Sequence, residues 1–283
     1  MSDRLTTYDH DGLSFDVRDE GPLDGDPVVL LHGFPERSSA WREVAPRLHE
    51  AGLRTYAPDQ RGYSPGARPR GRWSYRTSLL VADTVALVER IGRPVHLVGH
   101  DWGAAVAWSV AAARPDLLRS LTAVSVPHPA AFLAAMATST QGLKSWYTGL
   151  FQLPFVPELA AAPAGGPFDR ALRRGGMTDA EVERFRTEIV EYGALPGGLA
   201  WYRGTPFGDP RSTGQRVQVP TTLVWSDGDV AVGRQGVERS GQWVDAPYHL
   251  EVFEGVTHWI PTQAPEALAR AILDRVASAG TIA

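Results

Sequence analysis

The stretch VGHDWGAAVAW (residues 98–108) decides the fold prediction, because it joins an apolar run to a helical pattern through one tight turn. The apolar run RPVHLVGH ends at His100, and small helix-forming residues follow as far as Pro115. Gly99 and Gly103 flank the turn and allow the strand and helix backbones to approach closely. Asp101 stands at its tip, where such a turn holds a nucleophile above a parallel sheet. The alternative is that Asp101 only caps the helix N-terminus.

Strand and helix patterns alternate on both sides of this turn. Residues 77–92 repeat apolar positions at helical spacing and end at Gly92, a typical C-cap. Short apolar runs, as in buried parallel strands, occur at DPVVLLHG (26–33), SLTAVSVPHP (120–129), PTTLVWSDGD (220–229) and YHLEVFEG (248–255). The alternation predicts an α/β fold with a mostly parallel central sheet and flanking helices.

The alternation stops between residues 131 and 211, where the chain is helical and rich in alanine, proline and glycine. Thr178 and Glu181 form a capping-box pattern, and residues 158–167 (ELAAAPAGGP) have the composition of a loop. About 80 residues are too many for a plain crossover connection. We therefore predict a core in two parts, residues 1–130 and 212–283, with an inserted helical lid at residues 131–211.

The composition excludes several classes of protein. The 283 residues are 43% hydrophobic and 21% charged, with a formal net charge of −4 and no basic patch, which argues against a nucleic-acid partner. The chain has no cysteine, so disulfides and thiolate catalysis are excluded. No apolar run approaches the roughly 20 residues that span a bilayer, and the first residues lack a secretory-signal pattern. We expect a cytoplasmic protein without a membrane partner, and the sequence does not predict its oligomeric state.

Further residues complete a nucleophile, acid and base order along the chain. The LLHGFPE stretch ends an early strand, and we expect the backbone amides of Phe34 and Trp102 to form an oxyanion hole. A later strand ends with two acids, Asp227 and Asp229, and His258 follows the last strand. This order is the one expected when a strand-to-helix turn carries the nucleophile.

Six motifs then follow one another over nearly the whole chain: HGFPE (32–36), DQRGYS (59–64), GHDWGA (99–104), VPHP (126–129), WYR (201–203) and HW (258–259). With them the chain resembles the α/β-hydrolase superfamily and, within it, the epoxide hydrolase branch, whose nucleophile is an aspartate. The resemblance implies Asp101 as nucleophile, His258 as base and Asp229 as the acid that orients the histidine. Asp227 stays the second choice for that acid, and Ser226 departs from the usual glycine.

The resemblance also implies two lid tyrosines that donate to the epoxide oxygen. Tyr202, in WYR, matches one of them, but the position of the other, beside the FQ of GLFQLP, holds Leu150. Tyr147 and Trp201 are the substrate-binding candidates that this departure leaves. An indole N–H is the alternative to a second phenol, and it has three sources: Trp201, Trp146 and Trp102.

A carboxylate nucleophile suits an sp³ carbon that bears a leaving group, with an alkyl ester on Asp101 as intermediate. Water activated by His258 then hydrolyses the ester, so we expect an epoxide and water as partners and neither metal nor cofactor. A haloalkane dehalogenase is the alternative, but Phe34 offers no side-chain donor to a halide, whereas Tyr202 can protonate an alkoxide. A non-catalytic small-molecule receptor is the third hypothesis, and the complete triad argues against it.

Overall fold

One eight-stranded sheet forms the centre of the computed structural model, which describes residues 3–280 apart from the side chain of Pro210. The strands are β1 (Thr7–His10), β2 (Leu13–Glu20), β3 (Asp26–Leu31), β4 (Leu53–Pro58), β5 (Val95–His100), β6 (Leu118–Val124), β7 (Thr221–Ser226) and β8 (Tyr248–Phe253). They lie in the order β1-β2-β4-β3-β5-β6-β7-β8. Only the pairs β1–β2 and β2–β4 are antiparallel, so the predicted mostly parallel sheet is confirmed.

The helices follow the strands in the predicted alternation. In chain order they are α1 (Ala45–Glu50), α2 (Thr77–Ile91), α3 (Trp102–Ala113), α4 (Pro129–Thr138), α5 (Gln141–Lys144), α6 (Trp146–Phe151), α7 (Val156–Ala161), α8 (Pro167–Arg174), α9 (Asp179–Phe185), α10 (Leu195–Gly204), α11 (Pro210–Thr213), α12 (Arg234–Arg239), α13 (Ile260–Gln263) and α14 (Pro265–Gly280). A π-helical turn, Arg186–Glu191, follows α9. None of these helices combines the length and the apolar character needed to cross a membrane.

Both faces of the sheet are covered, because successive strand residues point to opposite sides. Val29 and Leu31 of β3 belong to the apolar cluster that also contains Leu87 of α2. Val28 and Leu30 belong to a second cluster, with residues of α1 and α14. The fully buried strands β5 and β7 therefore end at a sheet edge that two packed layers hold rigidly.

The segment between β6 and β7 consists, in its described residues, of short helices joined by turns, from α4 to α11, with no strand. Its α9 begins with the predicted capping box, in which Thr178 and Glu181 bond each other's backbone amides. The predicted loop at residues 158–167 is partly wrong, because α7 extends to Ala161: Pro157 lies in the first turn of the helix, and Glu158 and the alanines are strong helix formers. The division at residues 131 and 211 stays a prediction.

Candidate active site

The candidate site lies at the carboxyl edge of the parallel strands. Phe34 follows β3, Asp101 follows β5, Asp229 follows β7 and His258 follows β8. The carboxyl ends of neighbouring parallel strands meet at one edge of a sheet, which is where such folds bind ligands. Residues that are far apart in sequence therefore converge here.

The turn between β5 and α3 holds Asp101 in a strained conformation, with φ 53° and ψ −119°. Such a backbone is rare for a residue with a side chain and is typical of functional sites. Neighbouring glycines make room for it. A Cβ on Gly103 would lie 2.6 Å from the His32 carbonyl oxygen, and one on Gly33 would lie 2.5 Å from Asp101 Oδ1. The turn thus requires glycine where the sequence supplies it.

The two oxygens of the Asp101 carboxylate have different partners. Oδ1 accepts a hydrogen bond from the Phe34 amide at 2.8 Å, and Oδ2 lies 3.4 Å from His258 Nε2. Burial raises the pKa of Asp101, but His258, His100 and the Phe34 amide outweigh burial and hold that pKa below its usual value. The group is therefore ionised near neutral pH and is a hydrogen-bond acceptor rather than an acid.

Asp229 pairs with the imidazole of His258. His258 Nδ1 lies 2.7 Å from Asp229 Oδ2, and Oδ1 of the same carboxylate accepts the amides of Ala231 and Val232 at 2.7 and 2.8 Å. Burial lowers the pKa of His258, but Asp229 and Asp101 together raise it to about 10. Asp227 is exposed and accepts the Gly255 amide at 2.8 Å. Of the two acids, the geometry therefore favours Asp229, and Asp227 belongs to a turn.

Two tyrosines of the helical segment approach the carboxylate. Tyr202 lies on α10 and Tyr147 on α6, with ring centroids 6.3 Å apart. Burial, followed by the negative charge of Asp101, raises the pKa of both phenols above the usual value. The Tyr202 ring also packs edge-to-face against the Trp102 indole, with the ring centroids 5.0 Å apart. Both phenols stay protonated and are able to donate.

Tyr147 lies one helical turn before Leu150, at the i, i+3 spacing that puts two side chains on one helix face. Tyr147 thus provides a second phenol on α6, three residues before position 150, where the resemblance places a tyrosine. The two other tryptophans have different surroundings. Trp201 is fully buried and its indole N–H donates to the Arg61 carbonyl at 2.7 Å, so the expectation that Trp201 donates to substrate does not fit the geometry. Trp146 is 69% exposed.

A cluster of buried polar side chains adjoins His258. His100 Nε2 lies 2.9 Å from the His258 carbonyl oxygen, and its Nδ1 lies 3.8 Å from Glu36 Oε2. Glu36 Oε1 pairs with Arg184 Nη2 at 2.9 Å. Burial raises the pKa of Glu36 to about 7, and Arg184 limits the rise. Sequence reasoning missed Arg184, because no motif marks a helix residue that reaches Glu36 across 148 positions.

The described residues contain no group of three or more histidine, aspartate or glutamate side chains arranged to hold a metal ion. Room near the polar cluster is small. A cavity of about 10 Å³, lined by Glu36, Ser39, Glu181, Arg184 and Glu188 among others, is comparable to the space for one water molecule.

The fold, the strained turn at Asp101 and the pairing of His258 with two carboxylates together define a hydrolase of the α/β class. Residues 26–265 match the family with the alpha/beta hydrolase fold, and the chain belongs to this family. It is 34% identical over 274 residues to the AB hydrolase superfamily protein YfhM of Bacillus subtilis (strain 168), covering 93% of this chain and 94% of that protein.

Relatives that carry the name epoxide hydrolase are similar over most of the chain. Epoxide hydrolase 2 of Caenorhabditis elegans is 32% identical, covering 88% of this chain and 73% of that protein. The crystal structure of Epoxide Hydrolase A from Mycobacterium thermoresistibile has a TM-score of 0.81 at 27% identity, covering 96% of this chain and 97% of that one. The resemblance to this branch is therefore confirmed.

Proposed function

We propose that the protein is an epoxide hydrolase that converts a small epoxide and water into a vicinal diol. One observation carries the proposal: the Tyr202 ring lies 5.3 Å from that of Phe34, whose amide binds the ionised Asp101 carboxylate, and the Tyr147 ring lies beside Tyr202. Both phenols are protonated. An epoxide needs a nucleophile on carbon and a proton on oxygen at the same time. The relatives named epoxide hydrolases support the same activity.

In the first step Asp101 Oδ2 attacks an epoxide carbon, and the bond from that carbon to the ring oxygen breaks. The departing oxygen takes a proton from Tyr202 or Tyr147, and the tyrosinate is reprotonated, through water, by the proton that His258 loses when ester formation removes the Asp101 charge. The product is an alkyl ester through Oδ2. Asp101 Oδ1 becomes the ester carbonyl oxygen and keeps the hydrogen bond from the Phe34 amide that it has in the free enzyme.

In the second step neutral His258 takes a proton from water, and the hydroxide adds to the ester carbon of Asp101. The negative charge that develops on Oδ1 is stabilised by the Phe34 amide and by the amide of Trp102, which begins α3. The bond from the carbonyl carbon to Oδ2 then breaks, and the imidazolium protonates the leaving alkoxide. The diol keeps Oδ2, and Asp101 is left as a carboxylic acid whose second oxygen comes from water. Its proton passes to His258, which restores the ionised Asp101 and protonated His258 of the free enzyme.

The charge of Asp101 couples the two steps through His258. In the free enzyme Asp101 and Asp229 both raise the pKa of His258, so the imidazole is protonated at neutral pH. Ester formation removes the Asp101 charge, and the pKa of His258 falls because one of its two anionic partners is gone. The histidine thus becomes a base at the stage when a base is required.

Halide displacement is the competing chemistry, and two features of the site oppose it. Phe34 has no side-chain donor at the position beside Asp101 Oδ1. A halide needs N–H donors and no proton, whereas this site offers phenols that are held in the protonated form. The donor set therefore fits an alkoxide leaving group better.

The test is to trap the ester. His258→Gln removes the base but leaves Asp101 free to attack, so intact-mass spectrometry after mixing with a terminal aryl epoxide is expected to show one added substrate mass on the peptide that contains Asp101. Asp101→Asn is the control and is expected to show no adduct. If His258→Gln stays unmodified with every epoxide tried, the nucleophile assignment is wrong. If the protein releases halide from 1-haloalkanes faster than it forms diols, the substrate class is haloalkanes rather than epoxides.

A further inference from the structure

An apolar surface surrounds the C-terminal end of α10, on the outside of the helical segment. Its most exposed members are Phe155 and Leu159, at 74% and 70%. We use the name apolar patch for six large exposed side chains: Trp73, Leu153, Phe155, Val156, Leu159 and Phe207. Single exposed apolar residues are ordinary on a protein surface, whereas a group of this size marks a contact surface.

Contacts made around α10 join these residues into one surface. Arg203 of α10 donates to the Leu153 carbonyl at 2.8 Å and pairs with Glu158 at 2.7 Å, which fixes α7 beside α10. Phe207 lies three residues beyond the end of α10, and its ring centroid is 5.1 Å from that of Trp73. The patch therefore combines the turns before and within α7 with the segment that contains Trp73.

An arginine-rich loop adjoins the patch on the Trp73 side. Residues 60–76 contain five arginines and no acid, and one of the five, Arg61, is buried and pairs with Asp83. Arg70 and Arg72 are exposed, and neither takes part in an ion pair within residues 3–280. Arg76 lies over the Trp73 ring, 4.8 Å from its centroid. Positive charge thus borders exposed aromatic surface.

Phe155 adds a local observation. Its φ is 65°, in the left-handed region that bulky side chains rarely adopt, although its ring is 74% exposed. The fold holds an aromatic ring outward in a conformation that is unfavourable for it and buries little of its area in return.

We propose that the apolar patch and the arginine-rich loop dock on an anionic lipid surface. Exposed aromatic and leucine side chains insert at the boundary between headgroups and acyl chains, and Arg70 and Arg72 pair with lipid phosphates. A second copy of the chain fits less well. The sole acid of residues 150–165 is Glu158, which already pairs with Arg203, so self-association would bring arginines together.

Docking of this kind differs from our expectation of no membrane partner, which depended on the lack of a spanning segment. The docking proposal does not depend on the proposed function, but docking would bring apolar substrates close to the candidate site. The patch lies beside α6 and α10, the helices that carry Tyr147 and Tyr202. If the site takes epoxides, an apolar epoxide dissolved in the bilayer would leave the lipid close to these two hydroxyls.

The test is co-sedimentation of the full chain with vesicles. We expect binding to vesicles of equal parts phosphatidylglycerol and phosphatidylcholine at low salt, and at least tenfold weaker binding to pure phosphatidylcholine. Arg70→Ser with Arg72→Ser should weaken binding about fivefold per arginine. Phe155→Ser with Leu159→Ser should weaken it roughly tenfold or more. Turnover of a water-soluble epoxide should not change in these variants.

Matched substitutions outside the patch serve as controls. Leu23→Ser replaces an exposed leucine in the turn between β2 and β3, and Arg90→Ser replaces an exposed arginine of α2; both should bind vesicles like the unmodified chain. Circular dichroism checks that each variant is folded. Absence of vesicle binding in the unmodified chain, or binding that the patch variants leave unchanged, would overturn the proposal. A dimer that Phe155→Ser with Leu159→Ser disperses, without vesicle binding, would assign the patch to a second copy instead.

Discussion

At the scale of single residues, the site combines one ionised carboxylate with two protonated phenols in the same buried space. Asp101 stays charged because His258 and the Phe34 amide stabilise its anion. Tyr147 and Tyr202 stay neutral because burial and that same anion disfavour tyrosinate. Each group thus holds its neighbour in the protonation state that ring opening needs.

Removal of a phenol should slow ring opening and leave the protein folded. Tyr202→Phe is expected to lower the rate of ester formation on an epoxide about 100-fold, a usual contribution of a positioned acid. Tyr147→Phe should lower it too, and the double variant should be slower than either. Rapid-quench measurement of the ester gives these rates. Tyr248→Phe is the control, because its buried hydroxyl has no hydrogen-bond partner in the structure and lies on β8; an equal loss there would contradict the assignment.

The pH dependence should differ between the two steps. Ester formation needs ionised Asp101, whose pKa is lowered, so it should continue in mild acid. Ester hydrolysis needs neutral His258, whose pKa in the free enzyme is raised to about 10 and falls in the ester. Below the pKa of the ester form, hydrolysis should slow about tenfold per pH unit.

The fraction of enzyme held as ester should therefore rise as pH falls from about 9 to about 5. Quenched-flow sampling of the steady state, with the adduct counted by mass, measures it. An ester fraction that stays constant or falls toward acid would show that His258 is not the base of the second step.

At the scale of elements, the turn from β5 to α3 depends on backbones in contact. Gly103→Ala would place a Cβ 2.6 Å from the His32 carbonyl oxygen, where neither backbone can move without disturbing β3 or α3. We expect a loss of about 3 kcal/mol or more in the free energy of unfolding, measured by urea denaturation. Gly149→Ala, on α6 with nothing within 4 Å of the added Cβ, is the control and should be neutral or slightly stabilising. Similar effects from both substitutions would refute the close-approach argument.

The same element also shows what a single sequence can predict. Apolar runs and local spacing predict the strands, their parallel arrangement and the turn glycines. The sequence therefore sufficed to predict β5, α3 and the strain at Asp101. The second phenol could be predicted only in part: helical spacing places Tyr147 and Leu150 on one face of α6, but only the fold shows that Tyr147 packs beside Tyr202. Helix α7 was missed because Pro157 and Gly-rich neighbours resemble a loop, while the intervening residues favour a helix.

At the scale of the whole molecule, contacts of Tyr192 attach the helical segment to the core. Tyr192 lies between two arginines of the core, with the Arg37 guanidinium 3.9 Å and that of Arg68 4.8 Å from its ring centroid. Arg68 also donates to the Tyr192 carbonyl at 3.1 Å. No sequence pattern joins these three residues, because their pairing depends on how the helical segment packs on the core.

Loss of the ring should loosen this attachment locally. Tyr192→Leu removes two cation–π contacts of about 1 kcal/mol each, so amide exchange over residues 184–192 should become roughly tenfold faster or more. Tyr192→Phe keeps the ring and should keep most of the protection. Hydrogen exchange with mass spectrometry measures both variants, and β5 serves as the internal reference. If Tyr192→Phe is as exposed as Tyr192→Leu, the hydroxyl rather than the ring makes the attachment.

The pairing of β6 with β7 has one more consequence. Leu121 faces Thr221 in adjacent parallel strands, although every helix from α4 to α11 intervenes along the chain. The sheet therefore closes its hydrogen-bonded ladder without help from those helices, while the phenols sit on the intervening segment and the carboxylate and imidazole sit on the sheet. Mutation is thus free to change the helices that carry Tyr147 and Tyr202 without disturbing the strands that position Asp101, Asp229 and His258. Selection can therefore change which substrates the protein accepts while the reaction carried out on them stays the same.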